Sequence, residues 1–260
     1  MNRFTKIFSL VFHRSPNPDE DVEIDGGHKE NWVLIRGGEF TMGSAVGEAG
    51  RSDNETLHRV KVSEFSIGQY AVTFGEFECF IAESGYKTDA EKSGDPVNWR
   101  HGMLGSVRPA SECNHPVIYV SWNDAVAYCQ WMSAKTGKTY RLPTEAEREY
   151  ACRAGSVTES YIWYRADTGT FNSFSFAPGL YDLRQNLNEW CSDWYGERYY
   201  DECEALGTLT NPVGPATGSD RVIRGGSWYD DAESCRSTFR YINTPDYRHD
   251  HVGFRLVFVP

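Results

Sequence analysis

Long hydrophobic runs are absent from this chain of 260 residues. No stretch approaches the roughly 20 apolar residues that a membrane-spanning helix needs. An apolar segment at residues 7–12 is short, and His13 and Arg14 follow it at once, so it does not match a secretion signal. We therefore expect no membrane association and a cytoplasmic location.

Positive charge is also scarce. The chain has 26 lysines and arginines against 37 aspartates and glutamates, which gives a formal net charge of -11 at pH 7. Proteins that bind nucleic acids or anionic lipid surfaces need clustered basic residues to neutralise phosphate. The charge balance therefore argues against both kinds of partner and indicates a solubilising surface.

Cysteine spacings typical of metal sites are missing. Seven cysteines are scattered along the chain, and none of them forms a Cys-x-x-Cys pair. Structural zinc sites and disulfide frameworks have closer, paired spacings. We expect buried free thiols, with neither a zinc site nor a disulfide framework.

The chain is long enough for one large domain with a substantial core. Residues 1–30 are rich in Asp, Glu, Pro and Gly after the short apolar run, so we interpret them as a polar tail. Residues 31–260 form the predicted domain. Two main helical patterns, short strand patterns and long irregular segments predict an α+β fold.

Capping signals place the predicted helices. Thr73 is a plausible N-cap for a helix over residues 74–84. The clearest helical pattern covers residues 121–137, with Ser121 near its N-cap and an apolar face at helical spacing. A further helix is predicted from Thr144, which begins a Thr-x-x-Glu capping box.

Short apolar segments predict the strands. Residues 32–35 and 39–42 flank a Gly-Gly pair, which is typical of a β-hairpin. Residues 60–67 have an extended pattern. Two more strands are predicted near the carboxyl end, over residues 222–224 and 254–258.

Four ordered motifs carry a family resemblance. They are Val-Ser-Trp-Asn-Asp-Ala at residues 120–125, Arg-Leu-Pro-Thr-Glu-Ala-Glu at 141–147, Arg-Val-Ile-Arg-Gly-Gly-Ser-Trp at 221–228 and Gly-Phe-Arg-Leu-Val at 253–257. They resemble the formylglycine-generating-enzyme, or sulfatase-modifying-factor, domain, and the match covers residues 32–257. The resemblance implies a C-type-lectin-like fold whose C-terminal strands and loops form a display face.

The resemblance also bears on catalysis. Copper-dependent formylglycine-generating enzymes use two thiolates a few residues after the Gly-Gly-Ser motif, because soft sulfur ligands hold Cu(I). After Ser227 this chain has one cysteine, Cys235, which aligns beyond both catalytic positions. We therefore expect no copper and no oxidase activity. Cys235 is expected to be a buried thiol, with a nucleophile or a bridge to Cys191 as alternatives.

One structural calcium ion is the cofactor that the resemblance implies. In relatives, side-chain oxygens at the Asp182 and Glu189 positions and backbone carbonyls at the Gln185 and Leu187 positions wrap one Ca²⁺. Carboxylates and carbonyls are hard oxygen ligands that suit this ion. Gln185 stands where relatives usually have glycine, so the resemblance leaves calcium binding open.

Two histidines near the carboxyl end form a further candidate. His249 and His251 are two residues apart and would share one side of an extended segment, where they could chelate a transition metal. In such a segment no sequence-adjacent carboxylate would face the same way. We therefore expect an exposed polar loop, with metal chelation as the alternative.

Positions after the Gly-Gly-Ser-Trp motif differ from those of many relatives. There they are repeatedly Asn, whereas here they are Tyr, Asp, Ser, Ile, Thr and His, each reachable from an Asn codon by changing adenines. This pattern is similar to that of the variable proteins of diversity-generating retroelements, which display a lectin-like face. Tyr mixed with small polar residues is also typical of antibody-like paratopes. The predicted ligand-binding side chains, which form the variable face, are Trp228, Tyr229, Asp230, Asp231, Ser234, Tyr241, Asn243, Tyr247, His249, Asp250 and His251.

Three hypotheses follow. The leading one is a non-catalytic lectin-like module that binds a protein or another macromolecule through the variable face. The second is an enzyme, either an oxidase relative with a different metal site or an accessory that binds a sulfatase-like peptide. The third is a sensor or effector-associated module whose partner is encoded nearby. Scaffold-type residues between the variable ones favour the first; they are Gly225, Gly226, Cys235, Arg236, Arg240, Pro245, Arg248, Gly253 and Phe254.

Overall fold

A computed structural model describes residues 32–153, 164–165, 170–171, 187–231 and 233–259 of the chain. The α-helices in these ranges are α1 (Phe74–Ser84), α2 (Asp89–Ser93), α3 (Trp122–Thr136), α4 (Glu145–Arg153) and α5 (Tyr199–Leu206). The strands are β1 (Trp32–Ile35), β2 (Gly38–Met42), β3 (His58–Val62), β4 (Phe65–Gly68), β5 (Thr139–Arg141), β6 (Tyr164–Arg165), β7 (Thr170–Phe171), β8 (Asn188–Trp194), β9 (Leu209–Thr210), β10 (Arg221–Arg224), β11 (Tyr241–Asn243), β12 (Val252–Gly253) and β13 (Val257–Val259).

The strands form several small sheets, which confirms the α+β class. One sheet has the order β1-β4-β13-β5 and is antiparallel throughout. A second has the order β11-β10-β8-β12, in which β12 runs parallel to β8. A third joins β2, β3 and β9, and β6 pairs with β7. Because β13 lies between β4 and β5, the end of the described chain is an inner strand of the first sheet.

The predicted β-hairpin is wrong. β1 pairs with β4, whereas β2 pairs with β3, so the two strands around the Gly-Gly pair belong to different sheets. A Cβ on Gly37 would lie 2.7 Å from the carbonyl oxygen of Val62. Glycine therefore allows two backbone segments to pass closely here, which is its other common use besides tight turns.

The predicted helix ends are confirmed at α1 and α3. Thr73 Oγ1 accepts a hydrogen bond from the Glu76 backbone N–H, and the Glu76 carboxylate accepts one from the Thr73 N–H. Ser121 and Asp124 make the same reciprocal pair at the start of α3. Gly137 ends α3 in the left-handed conformation, with φ at 70°. These local rules hold because each cap satisfies N–H groups that a helix leaves free.

α4 also begins at its predicted capping box, since the Glu147 carboxylate accepts from the Thr144 N–H at 2.8 Å. α2 and α5 were not predicted. They have five and eight residues, too few to show a clear apolar period. Thr88 and Glu91 form a capping box at α2, so that signal was present in the sequence.

The strand predicted over residues 254–258 begins later, at Val257. Arg255 lies in the gap after β12 and is fully buried. Its guanidinium donates to the carbonyl oxygens of Gly68 and Gln69 at 2.8 and 2.7 Å. The Arg255 side chain thus joins this gap to the end of β4.

Two buried clusters make up the core within the described part of the chain. The first lies around α1 and α3, where Phe77 and Tyr128 stack with ring centroids 6.0 Å apart and Phe254 meets both rings edge to face. The second lies between the first and third sheets and α4, with Val60 and Ile67 at its centre. Burial of this apolar area is the main favourable contribution to folding. The first cluster supports the C-terminal segment.

No helix within the described ranges combines the length and hydropathy needed to cross a membrane.

Candidate functional site

The segment that carries the variable face leaves β10, which is held between β8 and β11. Gly226 follows the strand with φ at +69°. A Cβ at this residue would lie 2.7 Å from Cys235 Sγ. Both the left-handed backbone and the close approach require glycine, so the chain turns at a fixed place before the first variable residues.

The next turn is fixed by Asp230. Its Oδ2 accepts from the Ser227 backbone N–H at 2.8 Å and from the Ser227 hydroxyl at 2.6 Å. The same oxygen accepts from Asn188 Nδ2 at 2.8 Å, which ties the turn to β8. Asp230 was predicted as a ligand-binding residue; in the structure it braces the loop that holds Tyr229.

Arg236 anchors the loop through buried ion pairs. Its guanidinium donates to both Glu55 carboxylate oxygens at 2.7 Å and to Glu48 at 3.0 Å. Burial tends to raise the pKa of Glu55, but hydrogen bonds from Arg236 and Ser44 outweigh it and lower the pKa overall. Glu55 therefore stays ionised and holds Arg236 in place at neutral pH.

Arg224 and Arg240 form a second buried anchor. Arg240 makes a bidentate pair with Glu145, at 2.7 and 2.9 Å. Arg224 pairs with Glu149 and donates to the Thr238 carbonyl oxygen at 2.7 Å. These contacts join α4 to β10 and to the chain that leads into β11. The scaffold roles predicted for Gly226, Arg236 and Arg240 agree with these contacts.

The variable face covers a wide range of exposure. Tyr229 is 71% exposed, and Asp231 and His249 are also exposed. Tyr241 and Tyr247 are half-buried and pack one side against the first core cluster. The other half-buried members are Trp228, Asp230, Ser234 and Asn243.

Asp250 and His251 are buried, with 6% and 7% exposure. The expectation of an exposed polar loop is therefore wrong for these two residues. It fails because residues 250–251 lie in a turn rather than an extended segment, with the Val252 N–H donating to the His249 carbonyl oxygen at 3.3 Å. A turn brings Asp250 to the same side as both histidines.

The three side chains form a tight group. Asp250 Oδ1 lies 2.7 Å from His249 Nδ1 and 3.6 Å from His251 Nδ1. The Tyr229 ring stacks on His251 with centroids 5.7 Å apart, and the Tyr247 ring stacks on His249 at 6.2 Å. Burial and then the nearby His249 lower the pKa of His251, which favours its neutral form.

Two residues beside the variable face are absent from the predicted ligand-binding set. Leu104 is 83% exposed and its backbone N–H approaches Asp250 Oδ2 at 3.5 Å. Tyr119 donates its N–H to the His249 carbonyl oxygen at 3.0 Å, and its ring lies 6.4 Å from the His249 ring. Both residues have positive φ. The glycines on either side of Met103 and Leu104 were the available signal that a loop presents them.

The predicted calcium ligands are only partly described. Glu189 is buried on β8, and Leu187 is buried just before it. Asp182 and Gln185 lie outside the described residues. Both Glu189 oxygens accept hydrogen bonds from guanidinium groups, at 2.8 Å from Arg148 and 2.9 Å from Arg255. This engagement does not fit a calcium ligand at Glu189. The calcium site as a whole stays a prediction.

Five of the seven cysteines are buried, as expected, whereas Cys79 and Cys113 are half-buried. Cys191 is free and fully buried, so the alternative bridge from Cys191 to Cys235 is not formed. Burial also raises the pKa of the Cys129 thiol to about 12. Burial raises the pKa of the Cys191 thiol too. A thiol becomes nucleophilic when its pKa is lowered, so neither the Cys191 nor the Cys129 environment is that of a catalytic cysteine. Cys235 is buried as well.

Small sheets flanked by helices, with a loop-rich C-terminal segment on a rigid frame, define a C-type-lectin-like α+β domain. Within that class, the family model of the sulfatase-modifying factor enzyme 1-like domain matches residues 20–259. The chain therefore belongs to this family, as its motifs predicted.

The relatives of this chain include a protein named as an enzyme and a protein named as inactive. The chain is 34% identical to a formylglycine-generating enzyme of Streptomyces coelicolor, over 86% of this chain and 87% of that protein. It is 31% identical to an inactive C-alpha-formylglycine-generating enzyme 2 of Bos taurus, over 90% of each chain. Family membership therefore does not decide whether this chain is catalytic.

A solved structure, Treponema denticola variable protein 1, has a TM-score of 0.66 and 24% identity, and the match covers 88% of this chain and 95% of that one. At this identity the likeness shows the fold alone.

Proposed function

We propose that the chain is a non-catalytic binding module that holds a protein or another macromolecule on its variable face. The observation that carries the proposal is Tyr229, an aromatic residue that is 71% exposed on a loop whose backbone is fixed. Its neighbour Asp230 braces that loop, and Arg236 anchors the chain that follows it. A rigid tyrosine offers a large contact area and loses little conformational entropy on binding.

Leu104 supports an extended contact surface. It is a large apolar side chain in solvent, and its backbone touches Asp250 at the edge of the variable face. Exposed aromatic and apolar groups beside a polar rim are typical of protein interfaces. The binding surface therefore combines the loop at Tyr229 with the loop at Leu104.

The chemistry after the Gly-Gly-Ser motif supports a non-catalytic role. A linear Cu(I) site needs two thiolates, and the sequence between Ser227 and the carboxyl end contains Cys235 alone. That cysteine is buried against Gly226. The oxidase chemistry of formylglycine-generating enzymes therefore lacks its metal ligands here.

Partner capture tests the binding role. The full chain, a triple variant with Tyr229→Ala, Tyr241→Ala and Tyr247→Ala, and a Leu206→Ala control are immobilised and exposed to lysate of the source organism. Leu206 is 73% exposed at the end of α5, outside the variable face. A partner retained by the wild type and the control is then purified and titrated against all three. We expect the triple variant to bind it more than about tenfold weaker, because tyrosines are frequent interface hot spots and truncation of one hot spot costs about 2 kcal/mol or more.

Equal affinity of the wild type and a folded triple variant for that partner would refute the binding role of these tyrosines. Since Tyr241 and Tyr247 also touch the core, the thermal melting of each variant is measured first. The single Tyr229→Ala variant, whose side chain is the most exposed of the three, gives the same comparison without loss of core contacts.

An oxygen electrode tests the absence of catalysis. The full chain is incubated with a cysteine-containing sulfatase-type peptide and a reducing agent, with and without added copper. We expect the rate of oxygen consumption to equal that of the buffer with the same copper. Oxygen uptake that depends on the chain and yields an aldehyde on the peptide would favour the enzyme hypothesis instead.

Active diversification of the variable face is a further part of the proposal, and it rests on the codon argument. The test is the DNA beside the gene. A reverse transcriptase gene and a near-copy of the last forty codons, with mismatches at adenines, are expected there. A neighbourhood that holds neither would leave the binding role intact and remove its proposed origin.

A further inference from the structure

His249, Asp250 and His251 bring three potential metal ligands to one point. One ligand atom from each residue lies within 4.8 Å of the other two. Asp250 Oδ1 is between the imidazoles, 2.7 Å from Nδ1 of His249 and 3.6 Å from Nδ1 of His251. In a tetrahedral site with bonds of about 2.0–2.2 Å, ligand atoms lie roughly 3.3 Å apart, and the two observed distances bracket this value.

Hydrogen bonding leaves part of the group unexplained. Asp250 Oδ1 makes an ion-pair contact with His249 Nδ1 at 2.7 Å, but this contact does not have the geometry of a hydrogen bond. His251 Nδ1 is buried and has no hydrogen-bond partner among the described residues, since its 3.6 Å separation from Asp250 Oδ1 is too long. Buried polar atoms are normally satisfied, so this nitrogen, which faces the carboxylate, calls for a partner that both groups can share.

We propose that His249, Asp250 and His251 bind one divalent first-row transition-metal ion of the zinc type. Two imidazole nitrogens with one carboxylate oxygen are a donor set for such ions, whereas calcium and magnesium prefer oxygen ligands throughout. Three protein ligands leave at least one coordination position for water or for an external donor.

The surroundings hold the ligands in place. The rings of Tyr229 and His251 are nearly parallel, with an angle of 9° between their planes, and those of Tyr247 and His249 meet at 12°. The second carboxylate oxygen of Asp250 faces the Leu104 N–H. The His249 side chain is 48% exposed, so the site reaches the surface there.

The metal site goes beyond the proposed binding function and does not depend on it. If both hold, the ion lies within the variable face, and the open position is available to a histidine or carboxylate of the partner. The tests are separate, because metal binding is measured on this chain alone.

The full chain is stripped with a chelator, dialysed and titrated with Zn²⁺ by calorimetry, in competition with a chromophoric chelator of known affinity. Co²⁺ is titrated in parallel, because its visible absorption reports coordination by nitrogen and oxygen. We expect one tightly bound equivalent of Zn²⁺. His249→Ala should weaken binding by more than about 100-fold, since the loss of even an outer-shell partner costs about 10–100-fold.

His115→Ala is the matched control, because His115 is half-buried and lies outside the group. It should bind Zn²⁺ like the wild type. His249 is exposed enough for its replacement to leave the fold intact, which circular dichroism checks, and Asp250→Asn keeps the shape of the buried residue. Wild-type affinity for Zn²⁺ in a folded His249→Ala or Asp250→Asn variant, or no bound equivalent in the wild type, would overturn the metal site.

Discussion

At the scale of single residues, the frame of the variable face depends on positions that tolerate no ordinary replacement. Gly226 combines a left-handed backbone with contact to Cys235. Arg236 joins the loop after Tyr229 to Glu55, which is far away in sequence. The exposed residues carry no comparable constraint, so residue changes at Tyr229 or Asp231 should leave stability nearly unchanged.

Gly226→Ala should lower the free energy of unfolding by about 3 kcal/mol, from backbone strain together with overpacking. Gly137→Ala is the matched control, since Gly137 has a similar φ of +70° and no atom within 4 Å of the added Cβ. It should cost about 1 kcal/mol from backbone strain alone. Denaturant unfolding of both variants measures the difference. Equal losses of unfolding free energy would mean that the contact with Cys235 does not destabilise Gly226→Ala.

Glu55→Gln should destabilise the chain by about 3 kcal/mol, because it removes the charge of the carboxylate that accepts from both Nη groups of the buried Arg236, and the Glu48 carboxylate replaces neither contact. Glu39→Gln removes an exposed ion pair with Arg59, at 3.1 Å, and serves as the control. An exposed pair contributes about 0–1 kcal/mol, so that variant should behave almost as the wild type. A loss at Glu55 no larger than that at Glu39 would contradict the anchoring role.

The Glu55 pair also predicts a pH dependence. The folded pKa of Glu55 is below its usual value of 4.5, so the pair stabilises the fold above about that pH. Its contribution is lost as the pH falls further, through the folded pKa. Unfolding free energies measured from pH 6 downward should therefore fall more steeply for the wild type than for Glu55→Gln. Parallel curves would show that Glu55 does not titrate with folding.

At the scale of elements, the sequence analysis predicts the caps of α1, α3 and α4 correctly, but neither the cap of α2 nor the long-range pairing of β1. The caps at Thr73, Ser121 and Thr144 involve residues three positions apart, so sequence alone determines them. The pairing of β1 with β4 depends on which sheet the strand enters, and no local pattern around the Gly-Gly pair carries that information. Tertiary contacts therefore determine that β1 and β2 enter different sheets, which the predicted hairpin did not anticipate.

The site follows the same division. Motif order gave the family, the frame and the exposed Tyr229. Asp250 converges with the two histidines because the chain turns here, and the His-x-His spacing does not reveal that turn. In an extended chain the Asp250 side chain would point to the side opposite both histidines. Leu104 reaches the variable face from a loop more than a hundred residues earlier, so only the folded chain shows that they are neighbours.

One element prediction concerns the cap of α1. Thr73→Ala should cost about 1 kcal/mol, because the Glu76 N–H loses its acceptor. Thr73→Ser keeps the hydroxyl and should remain within a few tenths of the wild type. Thermal melting compares the two variants, and a loss of the same size in Thr73→Ser would place the effect in the missing methyl group rather than the cap.

At the scale of the whole molecule, the last described strand holds the first sheet together. β13 pairs with β4 on one side and with β5 on the other. Its first residue, Val257, is fully buried in the second core cluster. The strand therefore connects segments from the beginning and the middle of the domain.

Deletion of residues 257–260 should abolish cooperative unfolding, because β4 and β5 would each lose their common partner. Val259→Ala, at the more exposed end of the same strand, should change the melting temperature little. Differential scanning calorimetry of both proteins makes the comparison. A truncated chain that still melts in one sharp transition would show that the sheet closes without β13.

The position of β13 has a consequence for any process that alters the codons of the variable face. Those codons precede the strand that completes the sheet, so a stop codon or frameshift introduced among them also removes that strand. A truncated product would lack β13 and be open to proteolysis, whereas a product with a missense change would keep the strand and the sheet. Closure of the first sheet is thereby coupled to an unbroken reading frame through the codons of the variable face.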